Sequence, residues 1–149
     1  LLRTCFCAAF LGLPVTGKTH LAVGIGQQIM RLDNRSVLFT TVMRAIRRIR
    51  DTWDQRSRKE SEVSAISALT YPDLLILDEV GIQSGSESEK NQLFDILNER
   101  YEKHKPTLLL SNLALPEVKA FLGERVFDRL KEDGGEVIPF TWKSHRGQA

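Results

Sequence analysis

The sequence predicts an α/β domain built on a parallel sheet. Three observations carry that expectation. Short apolar runs alternate with amphipathic stretches along the chain, a glycine-bearing turn separates the first apolar run from the first amphipathic one, and a later apolar run stops at two carboxylates, Asp78 and Glu79. Four apolar residues in a row suit a central strand buried on both faces, which is the signature of a parallel sheet.

Taken in order, strands are expected over residues 6–11, 36–41, 74–78, 107–111 and 137–141. Helices are expected over 18–30, 42–54, 62–69, 87–104, 116–122 and 125–132. In the second helix Val42, Ile46, Ile49 and Trp53 form one apolar stripe, while Arg44, Arg47 and Arg48 fall on the opposite side with Arg50 flanking. In the fourth, Leu93, Leu97 and Tyr101 repeat every four residues. Acids at its start (Glu87, Glu89) and bases at its end (Lys103, His104, Lys105) suit the helix dipole. The loop over 81–88 holds two glycines and three serines directly after a strand, a usual place for a ligand-sensing segment.

The 149 residues fit one domain, with 42% apolar and 27% charged residues, near the averages for folded proteins. A net charge of +2 and an isoelectric point near 8.7 are too mild to imply nucleic-acid binding, so any such role must rest on local clustering. Cys5 and Cys7 are too close to bridge and have no second cysteine pair for zinc. They read as reduced packing thiols of a cytoplasmic protein. The apolar run over 6–13 is too short to span a bilayer and lacks a cleavage site, so it reads as a buried strand and no membrane is expected.

Residues 12–19 read GLPVTGKT and satisfy G-x-x-x-x-G-K-[ST] between a strand and a helix, as a P-loop requires. With glycine at ~7% of residues, a chance match has a probability of roughly half a percent, so the pattern is specific. Successive backbone N–H groups and the helix N-terminus concentrate positive charge where a β-phosphate would sit. Gly12, Pro14, Val15, Thr16, Gly17, Lys18, Thr19 and His20 are assigned to nucleotide binding, with Lys18 reaching the β/γ oxygens and the Thr19 hydroxyl on Mg²⁺. Residues 74–79 read LLILDE, the Walker B form. There Asp78 would hold Mg²⁺ largely through water and Glu79 would polarise the attacking water. The run LLLSN ends on Asn112, a candidate sensor for the γ-phosphate or the nucleophilic water; a turn-forming Asn after a strand is the plainer reading.

From about Phe10 to Arg146 the chain resembles the DnaC family of replicative helicase loaders, which are AAA+ ATPases. The resemblance rests on GLPVTGKTHLA, LLILDEVGIQ, the SN after the fourth strand, LGERVFDRL over 122–130 and FTWKSHR over 140–146. Transposition helpers of the IstB type share the first three features.

The resemblance implies a three-layer P-loop NTPase with a five-stranded parallel sheet in the order 5-1-4-3-2, no separate lid domain, and ATP with Mg²⁺ as cofactors. It implies that Arg129 is an arginine finger reaching a neighbouring subunit's γ-phosphate, so that the protein self-associates, and that Arg146 is the sensor-2 arginine. Arg125 shares a helical face with Arg129, and the residues alone do not choose between them or exclude an ion pair with Glu124 or Asp128. The implied partners are a DnaB-type replicative helicase and single-stranded DNA. Arg44, Arg47, Arg48 and Arg50 would contact DNA phosphates with a salt slope of about −3. An ordinary solvated face relieved by Asp51 and Asp54 is the alternative.

We expect the chain to correspond to the ATPase domain alone, over 1–149, without the N-terminal segment by which loaders grip the helicase. Val15 stands where these P-loops place a glycine. A β-branched residue is costly there if the loop needs φ > 0, which leaves a modified loop or weakened nucleotide binding. Two other functions remain open: a transposase helper, and a nucleotide-binding scaffold that has lost hydrolysis. His20, His104 and His145 show no metal-ligand spacing, and Trp53 and Trp142 read as core or partly buried residues.

Overall fold

The computed structural model describes residues 7–54, 56, 59–82 and 86–143. Within them β1 (Ala8–Gly12), β2 (Val37–Thr41), β3 (Leu74–Asp78), β4 (Thr107–Ser111) and β5 (Glu136–Phe140) form one parallel sheet in the order β2-β3-β4-β1-β5. This is the expected order read from the other edge. Helices α1 (Lys18–Asp33), α2 (Val42–Asp51), α3 (Glu62–Thr70), α4 (Glu87–Glu102), α5 (Leu115–Leu122) and α6 (Glu124–Lys131) make the crossovers.

The apolar runs β1, β3 and β4 occupy the centre and are buried along nearly all their length. The less apolar β2 and β5 lie at the edges, where Pro139 of β5 is tolerated because one side of the strand needs no ladder partner. Side chains alternate between the faces. Ala9, Leu11, Leu75, Leu77 and Leu109 meet the apolar faces of α2 to α6. Ala8, Phe10, Leu74, Ile76, Leu108 and Leu110 meet α1 through Ala22, Ile25 and Ile29. Gly26 brings α1 close to the sheet, since a Cβ there would sit 3.1 Å from Val37 Cγ1.

Several boundaries differ from expectation for local reasons. β1 runs on through Gly12 because that residue pairs with Phe140, and Phe6 lies outside the described residues. β2 starts at Val37 because Ser36 is held by Asp73, whose Oδ2 accepts from the Ser36 N–H at 2.9 Å and hydroxyl at 3.0 Å. α1 continues to Asp33 and is stopped by Asn34 in the left-handed conformation, φ 50°. β5 is shifted one residue earlier because the Glu136 N–H already donates to Cys7 O.

α2 ends at Asp51, where the Thr52 hydroxyl donates to Ile49 O at 2.6 Å. Its buried stripe is therefore Val42, Ala45, Ile46 and Ile49, and Trp53, past the helix end, is exposed rather than core. α4 opens on a capping box between Ser86 and Glu89. Its buried stripe runs Leu93, Ile96, Leu97 and Arg100, with Tyr101 only half-buried.

Arg100 is fully buried and ties the lower edge of the sheet together. It donates to Thr107 Oγ1, to the carbonyls of Leu69, Thr70 and Pro72, and to Pro106 O. No helix among the described residues is long and apolar enough to cross a membrane, and Cys7 is buried.

Candidate nucleotide-binding site

The C-terminal tips of β1, β3 and β4 form one edge, the place where open parallel sheets receive ligands. Gly12 leaves β1 with φ 153°, and a Cβ there would lie 2.3 Å from Phe140 O. Past it the chain turns through Val15 at φ 63° and Gly17 at φ 92° into α1. Of the alternatives left open at position 15, the loop does adopt the left-handed conformation, and holding a valine there costs on the order of 1–3 kcal/mol. The start of α1 carries no side-chain cap and no acid in its first turn. Its N–H groups and positive dipole end are thus left for an anion.

Lys18 is buried and its ammonium lies inside the loop, donating to Gly12 O and Leu13 O at 2.7 Å each and to Thr16 Oγ1 at 3.2 Å. Burial pushes the Lys18 ammonium below the usual lysine range, and the nearby Asp78 carboxylate opposes this. Beside it, the Thr19 hydroxyl donates to Asp78 Oδ2 at 3.0 Å. A hydroxyl and a carboxylate at that spacing suit Mg²⁺, which keeps several waters and takes few protein oxygens. His20 follows in the first turn of α1 and is exposed, as are Pro14 and Val15.

Glu79 directly follows β3 with φ 59°, its N–H donating to Asp78 Oδ1 at 2.7 Å and its side chain exposed. The turn is braced from β4. Val80 N–H donates to Leu110 O, and the buried Ser111 hydroxyl donates to Val80 O at 2.7 Å while accepting from Leu113 N–H at 3.1 Å. Ser111 thus fastens the residue after Glu79 to the segment that presents Asn112, which is exposed at the tip of β4 between β1 and β3. The sequence offered Ser111 as a strand end and as part of the SN that carries the resemblance, with no role of its own.

A second contact that sequence reasoning missed comes from the far end of the chain. Trp142, like Trp53 exposed rather than core, packs on Phe140 and donates its Nε1–H to Thr16 O at 2.9 Å.

The remaining candidates lie apart from this cluster. Arg129 is half-buried and drawn onto its own α4, donating to Asn98 Oδ1 at 2.8 Å with its guanidinium over the Tyr101 ring; neither Glu124 nor Asp128 holds it. Arg125 is exposed. Arg146 lies outside the described residues.

On α2 the basic side chains do face solvent, but the acids that relieve them come from elsewhere in the fold. Arg48 makes a two-pronged pair with Glu60 (2.9 and 2.8 Å), which raises the guanidinium pKa and lowers that of the carboxyl, and Arg50 pairs with Glu89 at 3.1 Å. Arg44 and Arg47 are exposed and have no ion-pair partner among the described residues.

Residues 4–147 match the family described as IstB-like ATP binding protein. The chain belongs to that family. Along 139 residues it is 36% identical to the replicative helicase loader DnaC of Escherichia coli K12, a match covering 93% of this chain and 56% of that relative. The chain therefore spans little more than half the length of DnaC.

A crystal structure of the DnaC helicase loader superposes with a TM-score of 0.79 at 22% identity, over 93% of this chain and 80% of that one. The replication initiator DnaA bound to AMPPCP and single-stranded DNA superposes with a TM-score of 0.78 at 21% identity, over 96% of this chain and 42% of that one. Identities this low speak for the fold alone. The IstB-like fold found here is the AAA+ arrangement that the strand order describes.

Proposed function

We propose that this chain is the ATPase domain of a helicase loader, a cytoplasmic switch that binds Mg²⁺-ATP at residues 12–19. In the ATP state it self-associates, engages single-stranded DNA and helps place a DnaB-type ring helicase on DNA. The observation that carries this reading is the meeting of the Thr19 hydroxyl and the Asp78 carboxylate, 3.0 Å apart, beside a lysine at an uncapped helix start. The likeness to DnaC supports the choice of partner.

In this reading the N–H groups of the loop and of the first turn of α1 bind the β-phosphate, and Lys18 exchanges its loop carbonyls for β/γ oxygens. Thr19 and Asp78 would hold Mg²⁺, which neutralises charge building on the phosphates. Glu79 takes up the proton of the attacking water and Asn112 orients that water. Arg129 completes the site of a neighbouring subunit, for which it must leave Asn98 and Tyr101, and Arg146 acts as the second sensor. Arg44 and Arg47 contact DNA phosphates, while Arg48 and Arg50 stay paired with Glu60 and Glu89. Hydrolysis releases the assembly.

Two other readings have a specific observation behind them. The IstB-like family description favours a helper that recruits a transposase, and the strained Val15 favours a nucleotide-binding scaffold without turnover. Grafting the chain in place of the matching segment of Escherichia coli DnaC tests the loader reading. The graft should load the helicase onto single-stranded DNA, and the same graft with Lys18→Ala should not. A graft that binds ATP and releases phosphate but loads no helicase would give the helper reading precedence. ATP bound without phosphate release would support the scaffold.

A further inference from the structure

The P-loop is built from residues 12–19, yet its outer side is held by a residue 126 positions beyond Thr16. Three rings lead from the core to the loop. Phe10 of β1 lies 5.2 Å from Phe140 between ring centroids, and Phe140 lies 4.7 Å from Trp142. Phe140 is buried and also backs Gly12, so the tip of β5 supports the loop at its first residue. Trp142 then reaches past Phe140 and donates its indole N–H to Thr16 O at 2.9 Å. Thr16 is itself buried, its hydroxyl donating to Leu13 O and accepting from Lys18 Nζ.

The Thr16 carbonyl shares a planar trans peptide unit with the Gly17 N–H, and in such a unit the two groups point in opposite directions. Gly17 sits at φ 92° with no side chain and open space where a Cβ would stand, so on its Gly17 side no side chain fixes this peptide plane. A rotation of the plane would swing the Gly17 N–H with it. The indole bond opposes that rotation by holding the carbonyl.

We propose that Trp142 is a positioning residue for nucleotide binding: by fixing the Thr16 carbonyl it aims the Gly17 N–H at the phosphates. The inference rests on the reading of residues 12–19 as a nucleotide site. Because Trp142 remains half-exposed and touches the loop directly, it also senses the loop's state.

Trp142→Phe keeps a ring on Phe140 and removes only the donor. Its affinity for Mg²⁺-ATP and Mg²⁺-ADP, measured by calorimetry, should fall roughly 5- to 10-fold, the size of one net hydrogen bond, while its melting temperature falls by only about 2–4 °C. In the Trp53→Phe variant, which leaves Trp142 as the single tryptophan, the indole N–H resonance should move when ADP is added. Unchanged affinity in a folded Trp142→Phe chain overturns the proposal. If Trp142→Phe does not fold, the Trp53→Phe spectrum decides, and an indole N–H indifferent to ADP overturns it. Lys18→Ala separates the two levels. If the unmodified chain binds ATP, Lys18→Ala does not, and Trp142→Phe binds normally, the nucleotide site stands and the role of Trp142 falls.

Discussion

The substitution of Gly12 by alanine should damage this fold far more than the same change at Gly24, although both add one methyl group. At Gly12 the new Cβ would sit 2.3 Å from Phe140 O and 2.9 Å from Phe140 Cβ, and the first of these is backbone in a paired strand that cannot swing away. Forcing extra volume into such a contact costs about 1–3 kcal/mol. The φ of 153°, rarely adopted with a side chain, adds on the order of 1 kcal/mol or more. A loss of about 3 kcal/mol in a chain of this size lowers the melting temperature by roughly 6–12 °C.

At Gly24, inside α1, nothing lies within 4 Å of a built Cβ, and alanine gains about 0.8–1 kcal/mol of helix propensity. That variant should melt roughly 2–4 °C higher. Thermal unfolding of the three proteins by circular dichroism, without nucleotide, reads both signs in one experiment. A Gly12→Ala chain melting within about 2 °C of the unmodified one would mean that Phe140 leaves room for a side chain at position 12, and a Gly24→Ala chain melting below it would mean that α1 is crowded at position 24.

Three further outcomes follow from individual contacts. Asp73 is held below the ordinary carboxylate range first by the Ser36 backbone N–H, then by the Ser36 hydroxyl, Arg35 and Lys105. A carboxyl whose folded-state pKa is depressed stabilises fully above its unfolded value of ~3.9 and loses that contribution as pH falls through the folded value. Urea unfolding should therefore show the gap between the unmodified chain and Asp73→Asn closing below about pH 4, and a gap independent of pH would contradict the assignment. On α2, Glu60 and Glu89 already neutralise Arg48 and Arg50, so single-stranded DNA should be bound with a salt slope near −1.4 from Arg44 and Arg47, rather than −3. Glu60→Gln, which frees Arg48, should steepen the slope by about 0.7. Ser111→Ala removes the link between the Glu79 turn and the Asn112 segment, and should lower kcat for ATP roughly tenfold with KM nearly unchanged. A raised KM with kcat unchanged would place Ser111 in nucleotide binding instead.

What the sequence made legible was whatever depends on local pattern. β1, β3 and β4 are uninterrupted apolar runs because both their faces are covered, and the P-loop and Walker B residues fall at strand ends fixed by those runs. Whether Val15 would take a left-handed turn was left open by the sequence, and the structure answers it with φ 63°.

Contacts between distant segments were not legible. Arg100 near the end of an amphipathic helix looks like a solvated base, and only the assembled carbonyls of 69, 70, 72 and 106 make it a buried clamp. Trp53 continues the α2 stripe in sequence, but Thr52 ends the helix one residue before it. Arg129 sits at the expected place on α6, and its bond to Asn98 could be found only once α4 and α6 were packed together. The Trp142 contact is of the same kind.

The central claim is that residues 12–19 with Asp78 form a working nucleotide site despite the strained valine. Calorimetric titration of the chain with ATP in the presence of Mg²⁺ tests it most directly. Binding should be saturable, need Mg²⁺ and disappear in Lys18→Ala. No heat of binding in the unmodified chain, and none when Val15→Gly relieves the left-handed strain, would contradict it.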